Sequence, residues 1–281
     1  MTLMNHLIAA AQLNTCLSQP SLRVFDCRHR LNDTAEGQRL YLQGHIPGAT
    51  HVHLDSDLSA PMGFAADGHH LGRHPLPTEQ QMLERFGCWG ITPQTEVVVY
   101  DDLGGAMAAR LWWLLRAVGH TRVRVLDGGW QTWAFPVETA AQPLAIAQTV
   151  YPGRLDAGLI ASYSEIKRNA VATTHDLSLL DARSPDRFRG ENEPLDPPGG
   201  HIPGAINTPY AQQLTSDGLF KSAAELQAIY APILAEQKPI VCSCGSGVTA
   251  CHLILGLALA GRTENVQLFP ESFSGWIRTS P

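Results

Sequence analysis

The hexapeptide Gly-His-Ile-Pro-Gly-Ala stands at residues 44–49 and again at 200–205, an offset of 156. A repeat of this kind means that one structural plan is used twice. An Asp-x-Arg precedes each copy, Asp26-Cys27-Arg28 and Asp181-Ala182-Arg183, and each of these follows an apolar run. Downstream, Val97 to Asp101 matches Pro239 to Cys244 at an offset of 143, and Asp127-Gly128-Gly129-Trp130 matches the stretch Ser272 to Trp276. The drop in offset places roughly 13 extra residues in the first half, between about 50 and 97. That extra segment holds His69, His70, Gly72, Arg73 and His74.

Within each half, strand-like and helix-like stretches alternate. Val97 to Tyr100 reads as a buried strand, Ala106 to Val118 as a helix ended by Gly119, and Val123 to Leu126 as a second strand. The other half repeats this with strand 239–243, loop 244–249, helix 250–260 and strand 266–269. Such alternation predicts an α/β fold of two tandem domains, each a mostly parallel sheet flanked by helices. The expected boundaries are 1–141 for the first domain, 142–156 for a Pro- and Gly-bearing linker, and 157–281 for the second.

The composition, 44% hydrophobic and 16% charged, is that of a globular chain. A net charge of -6 without a Lys or Arg run argues against nucleic acid as a partner, while leaving room for a small anion held by local arginines. No stretch of 18 or more apolar residues predicts a membrane span. The first apolar stretch has no basic residue ahead of it, so no secretory signal is expected. Six cysteines without the spacing of a disulfide framework point to a reducing, cytoplasmic compartment.

The chemistry concentrates in Cys244-Gly245-Ser246-Gly247-Val248-Thr249, between a strand and a helix. Ligands of open parallel sheets bind beyond the carboxyl ends of the strands. Two glycines let the backbone curl around the Cys244 side chain, and the helix start adds its positive end. N–H groups of 245–249 would then stabilise a thiolate, which is the nucleophilic form of cysteine. An isolated buried cysteine is usually a small apolar residue, and Cys16, Cys88 and Cys251 are read that way. Cys242 is read as a strand cysteine, with redox regulation as the alternative.

The loop Cys244 to His252 resembles the active loop of two-domain rhodanese-type sulfurtransferases, in its 3-mercaptopyruvate version. Both hexapeptides, Arg110-Leu111-Trp112-Trp113, Asp127-Gly128-Gly129-Trp130 and Arg187-Phe188-Arg189-Gly190 extend the resemblance over nearly the whole chain. Thiosulfate enzymes of this architecture more often carry bulky basic residues where this chain has Gly245 and Ser246. The resemblance implies a catalytic second domain, with Cys244 cycling through a persulfide, and a first domain lacking a nucleophile, Asp101 standing in its place. It implies that Arg187 holds the anionic donor, that Ser246, His74 and Asp55 form a proton relay, and that the site lies between the domains. Asp57 competes for the place of Asp55. No metal or organic cofactor is implied, and the acceptor is a thiol, cyanide or thioredoxin.

Two positions depart from the family pattern. Leu195, in Glu193-Pro194-Leu195-Asp196, stands where a second arginine is expected; Arg73 or Arg189 is available to replace it. The closing motif reads Phe269-Pro270-Glu271-Ser272-Phe273. Thiosulfate as donor is therefore the alternative, and a non-catalytic persulfide carrier a second, which turnover with free substrates would separate from an enzyme. A phosphatase loop would need an Arg six positions after the cysteine, where this chain has Ala250. A metal site at Cys242, Cys244 and His252 lacks a second ligand pair.

Overall fold

A computed structural model describes residues 6–141 and 149–279. The part of the expected linker at 142–148 lies outside the described residues. The chain divides into two compact units. The first comprises Met1–Ala60, Pro77–Asp156 and Asp217–Leu219; the second comprises Pro61–Leu76, Ala157–Ser216 and Phe220–Pro281.

The first unit holds strands β1 (Leu7–Ile8), β2 (Leu22–Asp26), β3 (Ala49–His51), β4 (Glu96–Tyr100) and β5 (Val123–Leu126), in the order β1-β5-β4-β2-β3. Every pairing is parallel. Helices α1 (Ala10–Cys16), α2 (Glu36–Gln43), α3 (Leu54–Asp57), α4 (Glu79–Cys88) and α5 (Ala108–Ala117) connect and flank these strands. Val97 to Tyr100 of β4 are buried on both faces, as the uninterrupted β-branched run requires of an inner parallel strand.

The second unit repeats the plan with β6 (Ser178–Asp181), β7 (Ile206–Asn207), β8 (Ile240–Ser243) and β9 (Val266–Leu268), all parallel in the order β7-β6-β8-β9. A bridge from Ile160 to Leu268 takes the place of β1. Helices α6 (Tyr163–Val171), α7 (Pro185–Arg189), α8 (Ala223–Ala235), α9 (Thr249–Leu259) and α10 (Ser272–Arg278) complete it. The α/β fold with mostly parallel sheets follows the sequence reading.

The two recurring motifs of the repeat explain each other. At the end of β2, the buried Asp26 carboxylate accepts from the Arg28 guanidinium, whose Nη2 also donates to the Gly44 carbonyl at 2.7 Å. At the end of β6, Asp181 and Arg183 do the same, with Nη2 donating to the Gly200 carbonyl at 2.7 Å. Gly44 and Gly200 open the two hexapeptides, so each ion pair ties its own hexapeptide to the sheet. The same guanidinium groups lie over aromatic rings, Arg28 over Trp130 at 4.5 Å and Arg183 over Phe273 at 4.0 Å. The counterpart of Trp130 is therefore Phe273, rather than the more visible Trp276.

Candidate active site

Cys244 follows β8 directly, as Asp101 follows β4, and both side chains are buried. The loop after Cys244 curls because Gly247 takes a φ of +77°, and a Cβ there would stand 2.5 Å from the Pro270 carbonyl oxygen. The curl aims the Gly247 N–H at the Cys244 Sγ at 3.1 Å and the Ser246 N–H at 3.4 Å. Among the amides of 245–249, these two hydrogen-bond to the sulfur; Val248 is the N-cap of α9 and Thr249 its first residue, and the Gly245 carbonyl accepts from the Ser274 N–H at 2.8 Å. Ser272 braces the loop from behind, its Oγ accepting from the Cys244 N–H at 3.1 Å.

The equivalent loop of the first unit is filled by its own anion. The Asp101 carboxylate accepts N–H bonds from Leu103, Gly105, Met107 and Ala108 at 2.7–2.9 Å. Burial still holds this carboxyl above its usual range, with the four N–H groups pulling the other way. The backbone of this loop is thus an anion cradle in both repeats, and only the second presents sulfur to it.

The segment Pro61–Leu76 packs as part of the second unit. His74, buried at its end, places Nδ1 2.7 Å from the Ser246 Oγ, the ring tautomer deciding which of the two donates. The loci of the extra residues are visible here. Both repeats have an Asp-Gly turn closed by an antiparallel bridge, Phe64 to His70 around Asp67-Gly68 and Leu214 to Phe220 around Asp217-Gly218. Both then cap a helix, α4 with Thr78 and α8 with Ser222. The offset is 150 at the turns and 144 at the caps, so six of the extra residues fall between them, where Arg73 and His74 lie. Asp55 lies on α3 in the first unit with its side chain exposed, and Asp57 on the same helix accepts from the His53 N–H at 2.7 Å.

Two guanidinium groups flank Gly245. A Cβ on that residue would stand 3.0 Å from Arg73 Nη2 and 3.2 Å from Arg187 Nη2. Arg187 on α7 is held by Glu193, to which Nε and Nη2 donate at 2.7–3.1 Å. Arg73 is held by Asp196 through Nε at 2.9 Å and Nη2 at 3.1 Å. Asp196 also accepts from Arg278 Nη1 at 2.9 Å. Burial pushes both carboxyls up, but the arginines outweigh it and hold Glu193 and Asp196 below the usual carboxylate range. Arg189 is exposed and paired with Glu191, so of the two arginines available to replace Leu195, Arg73 is the one beside the loop. Asp196, Ser272 and Arg278 do not stand out in the sequence, because each acts by meeting a residue distant in the chain, which no local pattern marks; Glu193 is equally unmarked, although its partners Arg187 and Arg183 lie only six and ten positions away.

Cys242, two residues before Cys244, is fully buried, and burial lifts its thiol well above the ordinary range, with the Cys251 and Cys244 sulfurs adding to this. That is the inert state expected of a strand cysteine.

Comparison with known proteins agrees with this geometry. The rhodanese-like domain family matches residues 9–135 and 162–279. A probable 3-mercaptopyruvate sulfurtransferase of Pseudomonas aeruginosa is 40% identical over 275 residues, covering 96% of this chain and 94% of that protein. The thiosulfate sulfurtransferase of Rattus norvegicus is 33% identical over 273 residues, covering 93% and 87%. In three dimensions the chain is similar to SseA from Escherichia coli, a 3-mercaptopyruvate sulfotransferase of rhodanese fold, with a TM-score of 0.77, 27% identity and coverage of 96% and 99%. The chain belongs to the rhodanese family, with the domain present twice. Like these relatives, it is a sulfurtransferase.

Proposed function

We propose that the chain transfers sulfur from 3-mercaptopyruvate to a thiol or cyanide through a persulfide on Cys244. The observation that carries this reading is the pairing of His74 at 2.7 Å with Ser246, whose own N–H, with that of Gly247, faces the sulfur. A proton relay has work to do with this donor and none with thiosulfate. The Cys244 thiolate attacks the donor sulfur, the carbon–sulfur bond breaks, and its electron pair leaves as the pyruvate enolate. The donor's thiol proton must reach the enolate carbon, giving pyruvate and leaving Cys244 as a persulfide anion. Ser246 and His74 pass that proton, with Asp55 as the third member. The N–H groups of Ser246 and Gly247 stabilise the negative sulfur before and after transfer. An acceptor thiolate, thioredoxin's included, or cyanide then takes the outer sulfur and returns the Cys244 thiolate.

Arg187 holds the donor's charged end. The donor is a small anion, and neither metal nor organic cofactor enters the scheme. All six cysteines are free thiols, which supports placing the protein in the reducing cytoplasm. Among the described residues no helix is long and apolar enough to cross a membrane. Leu195 favours thiosulfate as the second reading, since it removes an arginine that a carboxylate would use. Steady-state kcat/KM with each donor tests the choice. A higher value with 3-mercaptopyruvate is expected; a higher value with thiosulfate would overturn the donor assignment.

A further inference from the structure

We infer that the second unit carries another ligand site, separate from the catalytic centre, which takes a small aromatic anion in the cavity between the Asp67-Gly68 turn, α6 and the end of α10. No step of the sulfur transfer uses this cavity.

Its volume is about 410 Å3, within the size range of small-molecule sites. Phe64, His69, Tyr163, Lys167, Arg278 and Thr279 are among the residues that line it, and all belong to the second unit. Part of the lining is aromatic. His69 lies flat on Tyr163, with ring centres 4.6 Å apart and planes 7° from parallel. Asp67 and Glu271 hold the imidazole from either side: Nδ1 is 2.5 Å from Asp67 Oδ1, and Nε2 is 3.3 Å from Glu271 Oε1. This stacked surface is therefore formed before any ligand arrives. Phe64 stands edge-on to His70 at 5.1 Å and leaves 66% of its surface exposed, an apolar ring available to a ligand at the cavity.

The charges of the lining favour an anion. The Asp67 carboxylate is engaged by His69, through the backbone N–H as well as the ring. Lys167 is exposed and, among the described residues, has no carboxylate partner. Arg278 uses only Nη1, which donates to Asp196 Oδ1 and to the Ser274 carbonyl, both at 2.9 Å. Among the described residues its Nε and Nη2 have no acceptor. Asp196 does not neutralise Arg278 alone, because the same carboxylate holds Arg73 and lies 3.8 Å from Arg187 Nη2. A carboxylate or sulfonate carried on an aromatic ring meets the two cations and the rings together.

Arg278 also links the cavity to the catalytic centre. An anion that takes its Nε and Nη2 draws the guanidinium away from Asp196. Asp196 then turns more of its charge on Arg187, which holds the donor, and donor binding weakens. This kinetic consequence rests on the reading of Arg187 as the donor's anchor; the binding does not.

The probe is 2-naphthalenesulfonate, followed by titration calorimetry. Wild type and Cys244→Ser should bind it equally. Lys167→Glu should weaken binding about fivefold or more, and Phe64→Ala about threefold or more. Both side chains are exposed, so neither change threatens the fold. In initial-rate assays, saturating probe should raise the donor KM about threefold with kcat little changed, and this rise should vanish in Arg278→Gln. By reciprocity, thiosulfate should weaken the probe in Cys244→Ser by about threefold and then level off. A weakening that keeps growing with thiosulfate would mean competition at the catalytic centre and would overturn the site. Unchanged affinity in both Lys167→Glu and Phe64→Ala would overturn it as well. Binding with the expected losses but an unmoved donor KM would uphold the site and overturn the link through Arg278.

Discussion

His74 Nδ1 and Ser246 Oγ lie 2.7 Å apart although 172 positions separate them in the chain. Both side chains are buried, so the pair is shielded from exchange with bulk water. The contact makes a donor-specific prediction. Ser246→Ala and His74→Gln should each lower kcat with 3-mercaptopyruvate by roughly 10²-fold, the usual reach of general acid–base catalysis. Thiosulfate turnover should fall by much less, because its sulfite leaving group needs no proton. Parallel losses with both donors would assign the pair to loop structure.

Gly247 carries the curvature of the loop. Its φ of +77° and the 2.5 Å approach of a Cβ to the Pro270 carbonyl leave no place for a side chain. Gly247→Ala should cost roughly 1–3 kcal/mol of stability from the backbone strain alone. It should also lower turnover with either donor, since the N–H facing Sγ moves. Urea denaturation and donor kinetics on the same preparation read the two effects.

Arg183 sits in a buried pair with Asp181 and donates to Glu193 and the Gly200 carbonyl. Arg183→Met removes one partner and leaves the Asp181 carboxylate uncompensated, which typically costs about 3–5 kcal/mol. Arg28→Met should do the same to the first unit through Asp26. Replacing both members of a pair, as in Arg183→Met with Asp181→Leu, should recover part of the loss.

Acid should act on the carboxylates that hold Arg187 and Arg73. Glu193 and Asp196 have folded pKa values below the ordinary range. A carboxylate of this kind contributes stability that is complete above its unfolded pKa, about 4, and is lost as pH falls through the folded value. The thermal midpoint should therefore hold level from neutrality to about pH 5 and decline below about pH 4. Asp196→Asn should shrink that decline; an unchanged acid profile in this variant would show that Asp196 gains nothing from its arginines.

Much of this was legible in the sequence because duplication exposes what a single copy hides. The Asp-x-Arg and hexapeptide motifs recur because each needs the other, the guanidinium bridging Asp26 to Gly44 and Asp181 to Gly200. Cys244 stood out because a strand, two glycines and a helix converge on it. The closing aromatic did not, since Phe273 rather than Trp276 meets the arginine, and ring stacking leaves no periodic trace. Asp196 and Ser272 were equally hidden: their importance lies in Arg73 and the Cys244 N–H, reached only after the chain has folded.

The most direct measurement is intact-protein and peptide mass spectrometry after a brief incubation with 3-mercaptopyruvate and no acceptor. One added sulfur should appear on the peptide carrying Cys244, assigned to that residue and not to Cys242, and disappear when cyanide is added, with thiocyanate and pyruvate formed in equal amounts. Cys244→Ser should show neither the added mass nor turnover. Sulfur transfer that survives in Cys244→Ser, or a persulfide carried on another cysteine, would contradict the account.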